Sequence, residues 1–167
     1  GEHTMGNENL SEQTLTSIRE AQRNEITEYH IYSRLSKKIK DENNRKVLQE
    51  IGNDELRHYK TWMEYTETEA KPKRFKAFFY VAVARIFGVT FGIKLMERGE
   101  ADAQVVYDII SRDVPTAKEI EEDEDRHEDE RIGMLEEERR EDVGSVGVGL
   151  KDADRRSGVE GKSGPQG

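Results

Sequence analysis

Two segments of the sequence carry the same pair of metal-competent side chains at the same spacing, Glu55-Leu-Arg-His58 and Glu124-Asp-Arg-His127. Residues three apart on a helix share a face, so a carboxylate oxygen and an imidazole nitrogen from one segment can reach one ion. Glu25 precedes the first segment and Glu97 the second, giving the order Glu, Glu-x-x-His, Glu, Glu-x-x-His. Oxygen plus imidazole is a donor set for iron or manganese, with zinc as a further occupant; calcium would take oxygen alone. The chain has no cysteine, which removes disulfides, thiolate sites and iron–sulfur clusters.

A single Glu-x-x-His in a chain with 38% charged residues would read as solvated helix surface. Position argues otherwise here. The apolar stripes are Leu15, Ile18, Tyr29, Tyr32, Leu35 and Ile39, then Val47, Ile51, Trp62 and Tyr65. Later come Ile86, Val89, Ile93, Tyr107 and Ile110, and then Ala117, Ile120 and Met134. Glu25, Glu55 with His58, Glu97 with Glu100, and Glu124 with His127 interrupt these stripes near their middles, where leucine would ordinarily sit. Buried carboxylates are costly unless paired or coordinated, so one in each of four helices implies convergence on cations. Two divalent ions nearly balance four carboxylates.

Glu100 shares the face of Glu97 and is expected as a seventh ligand. Glu28 and Glu121 read as supporting or exposed residues, and Glu50 and Glu128 as solvated. Tyr29, Tyr32 and Tyr107 are expected to pack near the core and donate hydrogen bonds to ligand carboxylates. Trp62 reads as core, and His30 falls off the stripe.

The elements that must position these residues follow from the same periodicity. Ser11 reads as the N-cap of a first helix starting near Leu10, and DENN (41–44) ends it. A second helix is expected from about Asn44 to Thr68, ended by Lys71-Pro72. Residues 72–85 read as a crossover that becomes helical and feeds helix three. SRDVPT (111–116) is a turn into helix four. The fold expected is all-α: a four-helix bundle with a long crossover between helices two and three, over residues 10–142. Residues 1–9 read as a tag remnant or disordered start, and 143–167, rich in Gly, Ser and charge, as a disordered tail or linker.

Charge is unevenly placed along a chain of net charge −9. Residues 119–142 hold 14 acids against 4 Arg, net −10, while 71–98 hold 7 Lys/Arg against one Glu, net +6. The acidic stretch suits cations and argues against nucleic acid. Phe78–Met96 is apolar apart from Arg85 and Lys94; Arg85 near its middle is unfavourable in lipid, so a buried or homodimer-facing helix is expected.

With these residues placed, the chain resembles the rubrerythrin branch of the ferritin-like superfamily. QRNEITEYHIY (22–32) looks like its first ligand helix, NDELRHYKTW (53–62) and EDEDRHEDER (122–131) like its two Glu-x-x-His helices, and KLMERGEADAQ (94–104) like its third. The nearest resemblance is to the ferritin-like domain fused to vacuolar-iron-transporter-type membrane domains, sometimes called membrane-bound ferritin. VGSVGVGLKDA (143–153) is similar to the approach to that family's first membrane helix, whereas the residues after it are too polar to span a bilayer.

The resemblance implies a cytoplasmic domain, tethered to a membrane in a full-length form, that binds two iron ions and oxidises Fe(II) with dioxygen or peroxide. The rubredoxin-type relay of rubrerythrins needs cysteines, so peroxidase turnover here would need an outside reductant. A second expectation, different in class, is a non-catalytic iron-binding or sensing module serving an iron-transporter membrane domain.

Overall fold

In the computed structural model, residues 10–99 and 101–156 are described, with side chains for 10–98, 103–137 and Arg140. These residues form six helices: α1 (Glu12–Ser36), α2 (Glu42–Thr66), α3 (Arg74–Phe87), α4 (Val89–Gly99), α5 (Ala101–Ser111) and α6 (Thr116–Arg156). There is no strand among the described residues. The chain divides into two compact units, Gly1–Arg131 and Ile132–Gly167. All the candidate chemistry lies in the first. In the second, α6 continues through 143–156, and residues 157–167 lie outside the described residues.

α1 and α2 start on the caps their sequences supply. Ser11 Oγ accepts from the Thr14 amide at 3.1 Å, and Asp41 Oδ1 accepts from the Asn44 amide at 2.7 Å. The two helices, 25 residues each, pack antiparallel across the short connection between Ser36 and Glu42. Gln22, early in α1, meets Thr66 at the end of α2, and Tyr32, late in α1, meets Gly52 in the middle of α2. The absence of a side chain at Gly52 permits that approach, since a Cβ there would lie 3.3 Å from Tyr32 Cβ.

α2 ends earlier than its sequence implies. The stop is Glu67, in the left-handed region at φ 53°, rather than Pro72. Gln22 Nε2 donates to the Thr68 carbonyl and Gln22 Oε1 accepts from Thr66 Oγ1, both at 2.7 Å. These bonds hold the chain leaving α2 against α1.

The expected third helix is also divided. Gly88, at φ 97°, ends α3 and redirects the backbone into α4. α3 packs on α1 and α4 and buries Ala77 and Ala84, the latter against Gly92 of α4. Ile86, expected on the core stripe, is 73% exposed because it lies opposite those alanines. Its place in the core is taken by residues of α4 and α5: Ile93, Met96, Tyr107 and Ile110 are all buried.

Two apolar layers result. Ile18, Trp62, Ile110, Ala117 and Ile120 form one, with Tyr107 at its edge. Tyr32, Leu35, Leu48 and Ile51 are buried further along α1 and α2. Glu25 falls between Ile18 and Tyr32 in α1, and Glu55 and His58 fall between Ile51 and Trp62 in α2. The ionisable residues therefore occupy a band with hydrocarbon on either side along the helix axes.

Candidate metal centre

Glu25, Glu55, His58 and Glu124, from α1, α2 and α6, each offer a donor atom within 4.8 Å of the others. Glu25, Glu55 and His58 are buried and Glu124 is half-buried. His127 adjoins the group. Its ring is buried, and its Nδ1 lies 3.2 Å from Glu55 Oε1 and 3.9 Å from Glu124 Oε2. His58 Nδ1 lies 3.5 Å from both Glu55 Oε2 and Glu124 Oε1, and 3.7 Å from Glu25 Oε2.

Glu97 stands slightly apart, its Oε1 3.4 Å from the Nε of Arg131, whose side chain is buried. Glu100 lies outside the described residues. Tyr107 donates its hydroxyl to Glu25 Oε1, the role expected of a core tyrosine here. The Tyr32 hydroxyl accepts from Arg131 Nη1 at 2.9 Å.

Both imidazoles are oriented by carboxylates that the sequence reading passed over. His58 Nε2 lies 3.0 Å from Asp123 Oδ2, and His127 Nε2 lies 3.0 Å from Asp54 Oδ2. Each aspartate immediately precedes the glutamate of one motif and holds the histidine of the other. With Nε2–H donated to aspartate, each ring turns its Nδ1 toward the carboxylates, the nitrogen that a metal ion can take once its proton leaves.

Two arginines tie the aspartates together. Arg57 Nη2 is 3.0 Å from Asp54 and 2.7 Å from Asp123; Arg126 Nη2 is 2.6 Å from Asp54 and 3.2 Å from Asp123. The signal was present in the sequence. The repeated unit is Asp-Glu-x-Arg-His, at 54–58 and 123–127, and not merely Glu-x-x-His.

The charge states follow from crowding. Burial, then the charge of Glu55, pushes the Glu25 carboxyl up to about 8. Burial works against a charged His58, but Glu124, Glu25 and Glu55 outweigh it and hold its pKa far above the ordinary imidazole value. For His127 burial likewise opposes charge, and Glu55 and Asp54 lift the group to about 9. Burial would raise Asp123, yet His58 and Arg57 bring it down to about 2. Asp54 is lowered in the same way, burial being overcome by His127 and Arg57.

The donor set fits a metal. Glu25 Oε2, both oxygens of Glu55, Glu124 Oε1, and the Nδ1 atoms of His58 and His127 are buried without a hydrogen-bond partner. Six converging polar atoms without hydrogen-bond partners are costly in a protein interior; a cation that displaces the protons on Glu25 and the two imidazoles would satisfy them together. This group can therefore hold a metal ion. A cavity of about 280 Å³ adjoins it, lined by Glu25, Glu28, Glu97, Tyr107, Glu124 and Arg131 among others. Glu28 and Glu128, read from sequence as supporting or solvated, both line it.

Compared with models of known protein families, with curated proteins and with solved structures, the chain gives no significant match. Among the described residues, no helix is long and apolar enough to cross a membrane.

Proposed function

We propose that this domain is a ferritin-like, rubrerythrin-type dimetal carboxylate protein that binds Fe(II) as substrate and oxidises it. In this reading α1, α2, α4 with α5, and α6 correspond to the four ligand helices, and α3 belongs to the crossover between the second and the third. The observation that carries the reading is the set of buried, unpartnered oxygen and Nδ1 atoms, with both histidines pinned from behind by aspartate.

Glu25, Glu55, His58 and Glu124 hold the first ion. His127 and Glu97 complete a second position on the cavity side, with Glu100 a further candidate. Two Fe(II) each give up one electron; dioxygen takes both, together with two protons, and leaves as hydrogen peroxide. With peroxide as oxidant, the same two electrons and two protons yield two waters.

The protein's part is geometric and electrostatic. Asp54 and Asp123 fix the imidazoles, and Tyr107 donates to Glu25 and holds its carboxylate in place. Glu25, which keeps its proton to about pH 8 in the metal-free protein, releases it as a cation arrives. The apolar layers exclude bulk water, so the added positive charge meets its carboxylates in a weakly screening medium.

The test is anaerobic titration with Fe(II), followed by dioxygen or peroxide, for wild type and Glu55→Ala. Two equivalents bound and oxidised faster than in protein-free buffer are expected for wild type, falling to one or none in the variant. No oxidation above the protein-free rate would reject the ferroxidase reading.

A further inference from the structure

The side of α3 opposite its buried alanines carries an unusual surface. Phe75, Phe78, Phe79 and Ile86 are 92%, 67%, 52% and 73% exposed. Their spacing of three, four and seven residues places them on one side of the helix, opposite the buried Ala77 and Ala84. Phe87 and Phe91, ring centroids 5.3 Å apart, extend the patch around the Gly88 corner and are also exposed. Scattered surface leucines need no explanation, but a contiguous aromatic face does.

Cations border this face. By helical position Lys76 falls along one flank, and Arg74 and Arg85 along the other. Beside it lies a hollow of about 500 Å³ lined by His30, Arg34, Pro72, Arg74, Ala77 and Phe78. The segment 71–98 is a positive stretch, net +6, in a chain that is otherwise acidic.

We propose that α3 and this hollow dock the domain on an anionic phospholipid surface. The phenylalanines enter the boundary between headgroups and acyl chains, the flanking Lys and Arg remain at headgroup level, and a lipid phosphate sits in the hollow between Arg34 and Arg74. Charge decides between occupants. A second copy laid face to face would set Arg74, Lys76 and Arg85 against their own counterparts, whereas an anionic bilayer complements them. The helix lies on the bilayer and does not cross it, in keeping with its length and with Arg85.

The test is co-flotation of the full chain with vesicles of phosphatidylcholine alone or with about 30% phosphatidylglycerol, at low and high salt. Retention on the anionic vesicles alone, weakened by salt, is expected. Phe78→Ser with Phe79→Ser should weaken retention at least tenfold. Arg34→Gln, Arg74→Gln and Arg85→Gln together should weaken it on the order of 100-fold, at about fivefold per charge. All five positions are exposed, and unchanged helicity and metal binding would confirm that the variants fold. Equal retention on neutral vesicles, or by the charge variant, overturns the proposal. So does binding of inorganic phosphate without vesicle retention, or a dimer in light scattering that the Phe variant dissolves.

Discussion

The carboxylate of Asp123, on α6, lies 3.0 Å from Nε2 of His58, on α2, so one Glu-x-x-His motif is oriented by the residue preceding the other. Asp54 does the same for His127. A ring held through Nε2–H has its tilt decided before any cation arrives, and Nδ1 is the nitrogen that coordinates once its proton is displaced. Asp123→Ala is therefore expected to lower metal affinity about 10–100-fold while leaving every proposed ligand in place. Competition against a chromogenic chelator measures this. Unchanged affinity would show that packing alone positions His58.

The metal-free protein should lose stability as pH rises, contrary to the usual behaviour of carboxylate-rich chains. Glu25 is raised by burial and by Glu55 from 4.5 to about 8, and His127, against burial, by Glu55 and Asp54 from 6.5 to about 9. Between pH 4.5 and 9 these two groups therefore hold more protons in the folded chain than in the unfolded one, and their contribution makes unfolding easier as pH increases. The Glu25 contribution is complete below 4.5 and lost through about 8; that of His127 is complete below 6.5 and lost through about 9. Asp123 acts oppositely, its contribution present above 3.8 and lost as pH falls through about 2. A bound divalent ion replaces those protons, so the stabilisation it provides should grow across the same range. Thermal melts from pH 4 to 9 with and without Mn(II) follow both trends, and a metal-free Tm that climbs between pH 5 and 8 would contradict the charge assignment.

What could be read from the sequence was the location of the chemistry. Glu25 stands between Ile18 and Tyr32 on a stripe that periodicity alone defines, and the same holds for Glu55 with His58 between Ile51 and Trp62. The fold brings these side chains to one place with Glu124. The helix cap at Ser11 was local enough to be legible as well, whereas Asp41, read only as part of a break, caps an α2 that begins two residues before its expected start. The crossed Asp–His pairs were not, because they depend on α2 and α6 lying side by side with their motifs level. The exposure of Ile86 was hidden for a related reason. A stripe continued through Gly88 looks like one helix, and only the positive φ there shows that α3 and α4 point their faces differently.

Tyr107 sits on the boundary between the apolar layer and the ionisable band. Its hydroxyl donates to Glu25, and burial followed by the charge of Glu25 raises its own pKa well above the usual phenol value, so it remains a donor. Tyr107→Phe keeps the packing against Trp62, whose ring centroid lies 6.1 Å away, and removes only the donor. A buried acceptor left unsatisfied costs about 1–3 kcal/mol. The expectation is a metal-free protein with a modestly lower Tm and a Glu25 that holds its proton to still higher pH. The onset of metal binding in a pH titration should shift upward with it. A Phe variant with wild-type pH dependence would show that the hydroxyl does not bear on the ionisation of Glu25.

Arg131 poses the sharpest question about the second ion. Its guanidinium is buried, 3.4 Å from Glu97 through Nε and 2.9 Å from the Tyr32 hydroxyl through Nη1. It therefore supplies positive charge to the carboxylate that the dimetal reading assigns to a second cation. Arg131 and a metal ion draw on the same carboxylate charge, so the ion pair is expected to compete with a second cation for Glu97. Arg131→Leu should destabilise the metal-free domain by about 1–3 kcal/mol, less than for a fully buried pair because Glu97 retains access to water. It should also free Glu97, so that the rise in Tm on adding Mn(II) exceeds that of wild type and the second equivalent binds more tightly by calorimetry. Glu97→Gln should do the reverse, weakening the second equivalent while sparing the first. If Arg131→Leu instead reduces the metal-induced rise, Arg131 supports the bound state, and its competition with the second ion is wrong.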